Sequence, residues 1–495
     1  MSFSLLSTLL PLLLGPALTV LPNVGVTLPN AAPPDPTAEA ARFEAVSKQL
    51  DPGGVLHAYV SVDGDLSAIG PYVKSFMDDM RPFASDVPHI NVPALLKISG
   101  LDAVSAVGMS SRRTEDGFRN KFYVHAPNGR KGLLRVMAGD SKPFQVLNLA
   151  PSGADLVIEQ DLNLKTLYEA VLEGAVVQMG EQGKAMVQMQ VKQPLPPPFS
   201  FTLEKVLADL DTQVTIIIDA DPTKKVNIPD SPKELKMPQL SGAVLIDGLG
   251  WIADELTKVL EPMLAQGGNR TPPFKILRNA NWVGMQLDLI SASSASEREK
   301  KEIIELGLET ALLAHHLPSG KLVLASGKEF ADKLFAPKPS LGQDPVFLKT
   351  MKNLPMEGTA LTYASPAFFS SLRESLHKAN DLEHPLEKTY KRDDHLVAAT
   401  FIDLFLPKGA RGEGSVTTNT KDGMLTVSNS AHSLKNTIFA GTALPLIMGI
   451  ATFTVGRQVE AILDGREHGH HDHNHRPNEL KAVEPPPGNF DKKGD

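Results

Sequence analysis

A local pattern that occurs five times constrains this chain most: a short apolar or β-branched run, then Asp, Asn, Ser or Gly, then an amphipathic helical stretch. It begins at Val55 (VLHAYVSVDGDLSAIGPYVKSFM), Ala154 (ADLVIEQDLNLKTLYEAVLE), Gly242 (GAVLIDGLGWIADELTKVL), Lys321 (KLVLASGKEFADKLF) and Thr359 (TALTYASPAFFSSLRESL). Each instance reads as strand, cap and helix. The starts are unevenly spaced, which disfavours a stacked solenoid of fixed period. Ser326 with Glu329 has the S-x-x-E spacing of a capping box, and Ser365 before Pro366 puts proline at a first helical position, where its missing N–H costs nothing.

Hairpins are expected between these units, Ala103–Met109 with Phe118–His125, and Val397–Leu406 with Gly414–Thr418 and Met424–Ser428. The turns at Glu115-Asp116-Gly117, Asn128-Gly129 and Asp422-Gly423 supply residues that tolerate positive φ. Hairpins mixed with strand–helix units predict an α+β fold: antiparallel or mixed sheet with helices packed on one face.

Proline-rich breaks at Pro29 to Pro36, Pro194 to Pro198 and Pro485 to Pro487 suggest extended spacers. They divide the chain into a leader (1–32), a first module (38–192), a linker (193–198), a second module (199–430), one C-terminal transmembrane helix (437–455) and a His-rich disordered tail (456–495). A length of 495 residues suits two cores of ordinary domain size.

The ends set an expected location. No Lys or Arg occurs from Met1 to Ala41, and the Leu run from Leu5 to Leu14 precedes Gly15-Pro16-Ala17, which resembles the apolar region of a secretory signal without its positive start. Thr437 to Val455 (TIFAGTALPLIMGIATFTV) carries no charge. As a helix it would span about 28 Å, enough for one membrane crossing, although a buried core helix is the competing reading. Together these predict a single-pass envelope protein whose body lies on the non-cytoplasmic side, attached to the membrane at its C-terminal end.

Over residues 320–376 the successive stretches LVLASGKEF, SLGQDPVFLKTMKNLP and EGTALTYASPAFF resemble a family of uncharacterised bacterial envelope proteins built on a duplicated α+β domain of unknown function. The resemblance implies an exported bacterial protein with a periplasmic body. It implies no activity and no catalytic residues.

With no Cys, the chain has no disulfide, thiolate metal site or Cys nucleophile. A net charge of −8 supplies no basic field for nucleic acid. No G-x-S-x-G elbow, H-E-x-x-H helix, Walker loop or G-x-G-x-x-G fingerprint is present. Ser110, in VGMSSR, comes nearest to a serine elbow but reads better as a strand residue. Arg112 and Arg113 could fork onto an anion, yet a solvated hairpin is the plainer reading, and His315-His316 reads as the end of a helix. The tail is the one candidate metal site: His468, His470, His471, His473 and His475, with Glu467 and Asp472 beside them, could wrap Zn²⁺, Ni²⁺ or Cu²⁺ weakly. An equally simple reading is a low-complexity polar tract. The sequence therefore points first to a non-enzymatic binding or scaffold protein, then to a divalent-metal-binding membrane protein acting through the tail, and last to an unrecognised hydrolase.

Overall fold

The computed structural model describes most of residues 35–436; the larger stretches outside the description are 1–34, nearly all of 64–91, 228–235, 266–272, 383–398 and 437–495. All described residues belong to one compact unit, Gly25–Thr437.

The described residues form fifteen strands, in chain order β1 (Leu56–Ser61), β2 (Ala106–Thr114), β3 (Gly117–His125), β4 (Lys142–Pro143), β5 (Leu156–Asn163), β6 (Asp211–Asn227), β7 (Lys236–Ile246), β8 (Phe274–Arg278), β9 (Trp282–Asp288), β10 (Thr310–His316), β11 (Lys321–Ala325), β12 (Glu357–Gly358), β13 (Ala360–Ala364), β14 (Glu413–Thr420) and β15 (Gly423–Ser430). Thirteen of them form one sheet in the order β1-β2-β3-β15-β14-β13-β5-β6-β7-β11-β10-β9-β8. Every neighbouring pair is antiparallel. The short β4 and β12 pair separately.

This corrects the expected architecture in two respects. First, the sheet is continuous where two modules were expected, because β5 pairs with β6 across the proline-rich stretch, and the β14–β15 hairpin lies between β3 and β13. Pro194 bridges Thr202 and the Leu195 amide donates to the Phe201 carbonyl, so the start of the run pairs back onto 201–202. Second, helices occupy both faces. The Lys328–Phe335 and Pro345–Thr350 helices bury Phe330, Leu334 and Phe347 against Val157, Ile217, Leu245, Val323 and Leu361. The Trp251–Ala265 helix instead packs with Ile246, Leu313 and Leu322, residues of opposite strand parity. As for the expected transmembrane helix, no helix among the described residues is long and apolar enough to cross a membrane, and 437–455 lies outside them.

Local readings fare unevenly. The β2–β3 and β14–β15 hairpins form, but Val397–Leu406 is not a strand where it is described. Four of the five recurring units keep both strand and helix, and the first keeps its strand, its helix falling outside the described residues. Ser365 caps its helix by accepting from the Phe368 amide at 3.0 Å. Ser326 does not: the N-cap of the Lys328–Phe335 helix is Gly327, and the Ser326 hydroxyl accepts from the Gly242 amide.

Asp344 joins two elements. Its Oδ1 accepts from the Val346 and Phe347 amides at the start of the Pro345–Thr350 helix, and its Oδ2 accepts from the Ser152 hydroxyl and Gly153 amide of the loop before β5. Burial pushes this carboxyl upward, but those bonds outweigh it and hold it below its ordinary value. Asp344→Ala is expected to cost about 3 kcal/mol of unfolding free energy, because it strips the helix cap and orphans loop donors together. Denaturant melts of the two proteins measure it, and a loss under about 1 kcal/mol would show that the four bonds are replaceable by water.

Candidate functional site

Alternation along β5 sends Val157, Glu159 and Asp161 to one face of the sheet and Ile158 and Gln160 to the other. Register extends that face across the neighbouring strands, placing Gln213 opposite Asp161, Thr215 opposite Glu159, and Leu245 then Val323 in the Glu159 row. A polar band is thus set into an apolar core. Glu159 is 1% exposed, Lys321 3% and Asp161 6%.

Each member of the band is held differently. Glu159 accepts from the Gln145 and Val146 amides at 3.0 and 2.6 Å, which caps the short Val146–Leu149 helix. Burial raises its carboxyl from 4.5 to about 7, against the opposing pull of those amides and of Lys321. Lys321 bonds Asp247, while burial lowers its own pKa and Glu159 resists that. Asp161 accepts from Gln213 at 3.1 Å through Oδ1 alone. Its Oδ2, together with Gln213 Oε1 and Thr215 Oγ1, is buried without a hydrogen-bond partner among the described residues.

Asp161 differs from Glu159 in lining open space. A cleft of about 500 Å³ lies at the end of β5, walled by Arg135, Asp140, Lys142, Asp161, Asn163 and Asp211. Asn163 shapes one side: its Oδ1 accepts from the Thr166 amide, capping the Leu164–Lys192 helix, and its Nδ2 donates to Asp211. The opposite wall is pinned by Asn419, whose side-chain amide donates to the Met137 and Gly139 carbonyls at 2.9 and 2.7 Å. Gly139 leaves the cleft open, since a Cβ there would lie 3.3 Å from Asp161 Oδ2. The nearest cation is Lys142, 3.6 Å from that oxygen and beyond hydrogen-bond reach.

The residues singled out from sequence lie elsewhere. Ser110 is buried in β2, where its hydroxyl accepts from the Asp51 amide as a strand residue would. Arg112 and Arg113 belong to β2 rather than to a loop, with Arg113 over the Phe118 ring at 5.3 Å. His315 and His316 end β10 and not a helix: His315 Nδ1 lies 2.8 Å from Asp254 Oδ2, and His316 stacks on Phe335. His468, His470, His471, His473 and His475 lie outside the described residues. Among the described residues no three His, Asp or Glu side chains converge to hold a metal ion.

Glu159 and Asp161 escape a sequence reading in which ADLVIEQDLN is only a strand before a helix. The signal available was a pair of carboxylates at the strand parity of Val157, which a half-buried strand does not ordinarily tolerate. Comparison with known proteins supplies no precedent for the cleft, since no family model, no curated protein and no solved structure matches the chain.

Proposed function

We propose that this is a binding protein of the cell envelope, in which the long sheet is a rigid frame for a small-molecule cleft at Asp161. The observation that carries this reading is the Asp161 carboxylate, buried at the wall of the cleft with one oxygen that has no hydrogen bond among the described residues. A buried acceptor of this kind costs free energy unless something donates to it. Glu159 has the displaced carboxyl expected of an acid–base catalyst, but it does not line the cleft and both its oxygens are occupied by backbone amides. Binding therefore fits the geometry better than hydrolysis. Membrane attachment through Thr437–Val455, with the body outside the cytoplasm, rests on the uncharged character of that stretch.

Thermal melts of the full chain with a panel of small amines, diols and amino acids test the cleft. At least one solute is expected to raise Tm saturably, by mass action on the native state, and Gly139→Phe, which fills the cleft, is expected to abolish the rise. A Gly139→Phe protein that melts alone at the wild-type temperature and still responds fully would remove the cleft from the account.

A further inference from the structure

We infer that the cleft at Asp161 takes an organic ammonium group, a primary amine carried on a small polar molecule; this rests on the binding reading above and names its ligand class. The acceptor of the site, Asp161 Oδ2, belongs to a buried side chain at the cleft wall, 6% exposed, and has no hydrogen-bond partner among the described residues. An acceptor of this kind is matched by a donor. A donor that also carries positive charge bonds a buried carboxylate more strongly than a neutral hydroxyl does.

The walls carry an excess of negative charge, with Asp140, Asp161 and Asp211 against Arg135 and Lys142. These carboxylates are spread around the cleft and, as noted, no metal-holding group of three is formed among the described residues. That spread suits a cation of several atoms better than a bare ion, which asks its ligands to meet at a point. Lys142 is itself informative. It places a tethered ammonium at the mouth, 3.6 Å from Oδ2, close enough to screen the charge and too far to donate. Its side chain is 59% exposed, so an incoming amine can displace it into water at small cost. The two ammonium groups compete for one oxygen.

Calorimetry on the full chain decides the matter, using ethanolamine hydrochloride as the probe, ethylene glycol as its neutral counterpart and magnesium chloride as a bare cation. Ethanolamine is expected to give a saturable heat that ethylene glycol and magnesium do not. Asp161→Asn, of similar size, is expected to weaken it about tenfold or more, and Lys142→Ala to strengthen it by removing the competitor. Circular dichroism melts establish that both variants are folded. Equal binding of ethylene glycol, or preferential binding of magnesium, with either abolished by Gly139→Phe, would overturn the ligand class while leaving the cleft as a binding site. Ethanolamine binding that Asp161→Asn leaves unchanged would place the amine elsewhere and overturn the inference. No heat from any probe would overturn it as well, and a solute that stabilises the protein in the melting panel would then be a ligand of another class.

Discussion

Made separately, residues 38–192 are expected to show no cooperative melt, and residues 199–430 only a weakened one. In the first piece β3 and β5 would have to stand without β15, β14 and β13, which lie between them in the sheet and come from the second piece. The missing strands carry Leu361, Tyr363, Val416 and Val427, all buried in the main core. Their loss exposes two strand edges and the apolar face that they cover, and burial of that face at about 25 cal/mol per Å² is what offsets chain entropy. The second piece keeps β6-β7-β11-β10-β9-β8 as contiguous neighbours, but loses β5, the strand that links them to β13. Mixing the two is expected to restore the melt of the intact body, since every missing pairing is intermolecularly available. Calorimetric scans of each piece and of the mixture measure this, and a full cooperative transition from 38–192 alone would contradict the continuous sheet.

The second large effect is a dependence of stability on pH that runs opposite to the usual carboxylate case. Glu159 titrates at about 7 in the folded chain and near 4.5 as a free group, so between those values the folded state binds the extra proton. Stability from this group is present below pH 4.5 and is lost as pH rises through 7, a change of about 3 kcal/mol at 1.36 kcal/mol per pH unit. Asp344 works in the other direction: its depressed carboxyl gives stability above its unfolded value that fades as pH falls. Glu159→Gln removes the slope between pH 4.5 and 7 and leaves the acid limb in place. It also turns a side-chain NH₂ toward one of the two amides that Glu159 accepts from, a cost of about 1–3 kcal/mol. Lys321→Met is expected to move the Glu159 midpoint still higher, because Lys321 favours the carboxylate. Urea melts from pH 4 to 8 read all three proteins. A wild-type slope that Glu159→Gln retains would assign the proton to another group.

What could be read from the sequence was local. The hairpin turns at Gly117 and Gly423, the Ser365 cap and the strands of the recurring units depend on residues a few positions apart, and the structure forms them as expected. Neighbours in the sheet do not obey that limit. β15 pairs with β3 across some three hundred residues, as Leu425 opposite Tyr123 illustrates, and nothing in a single sequence marks that partnership. The proline run misled for a related reason, because stiffness in Pro194 to Pro198 says nothing of whether flanking strands return to pair. For the cleft, Asp161 and Asn163 are visible as polar residues of the buried parity, but Gly139, Lys142 and Asp211 meet them only through the fold. Ser326 shows the same limit in small, since an S-x-x-E spacing fits its helix while the hydroxyl is taken by Gly242 on the neighbouring strand.

The carboxyl carbon of Asp161 reports directly on whether an ammonium donates to it. In protein labelled with ¹³C at aspartate carboxyls, with the resonance assigned by its absence from Asp161→Asn, methylammonium chloride is expected to move the Asp161 signal saturably while methanol leaves it in place. An Asp161 signal that ignores methylammonium, or that follows methanol equally, would contradict the account.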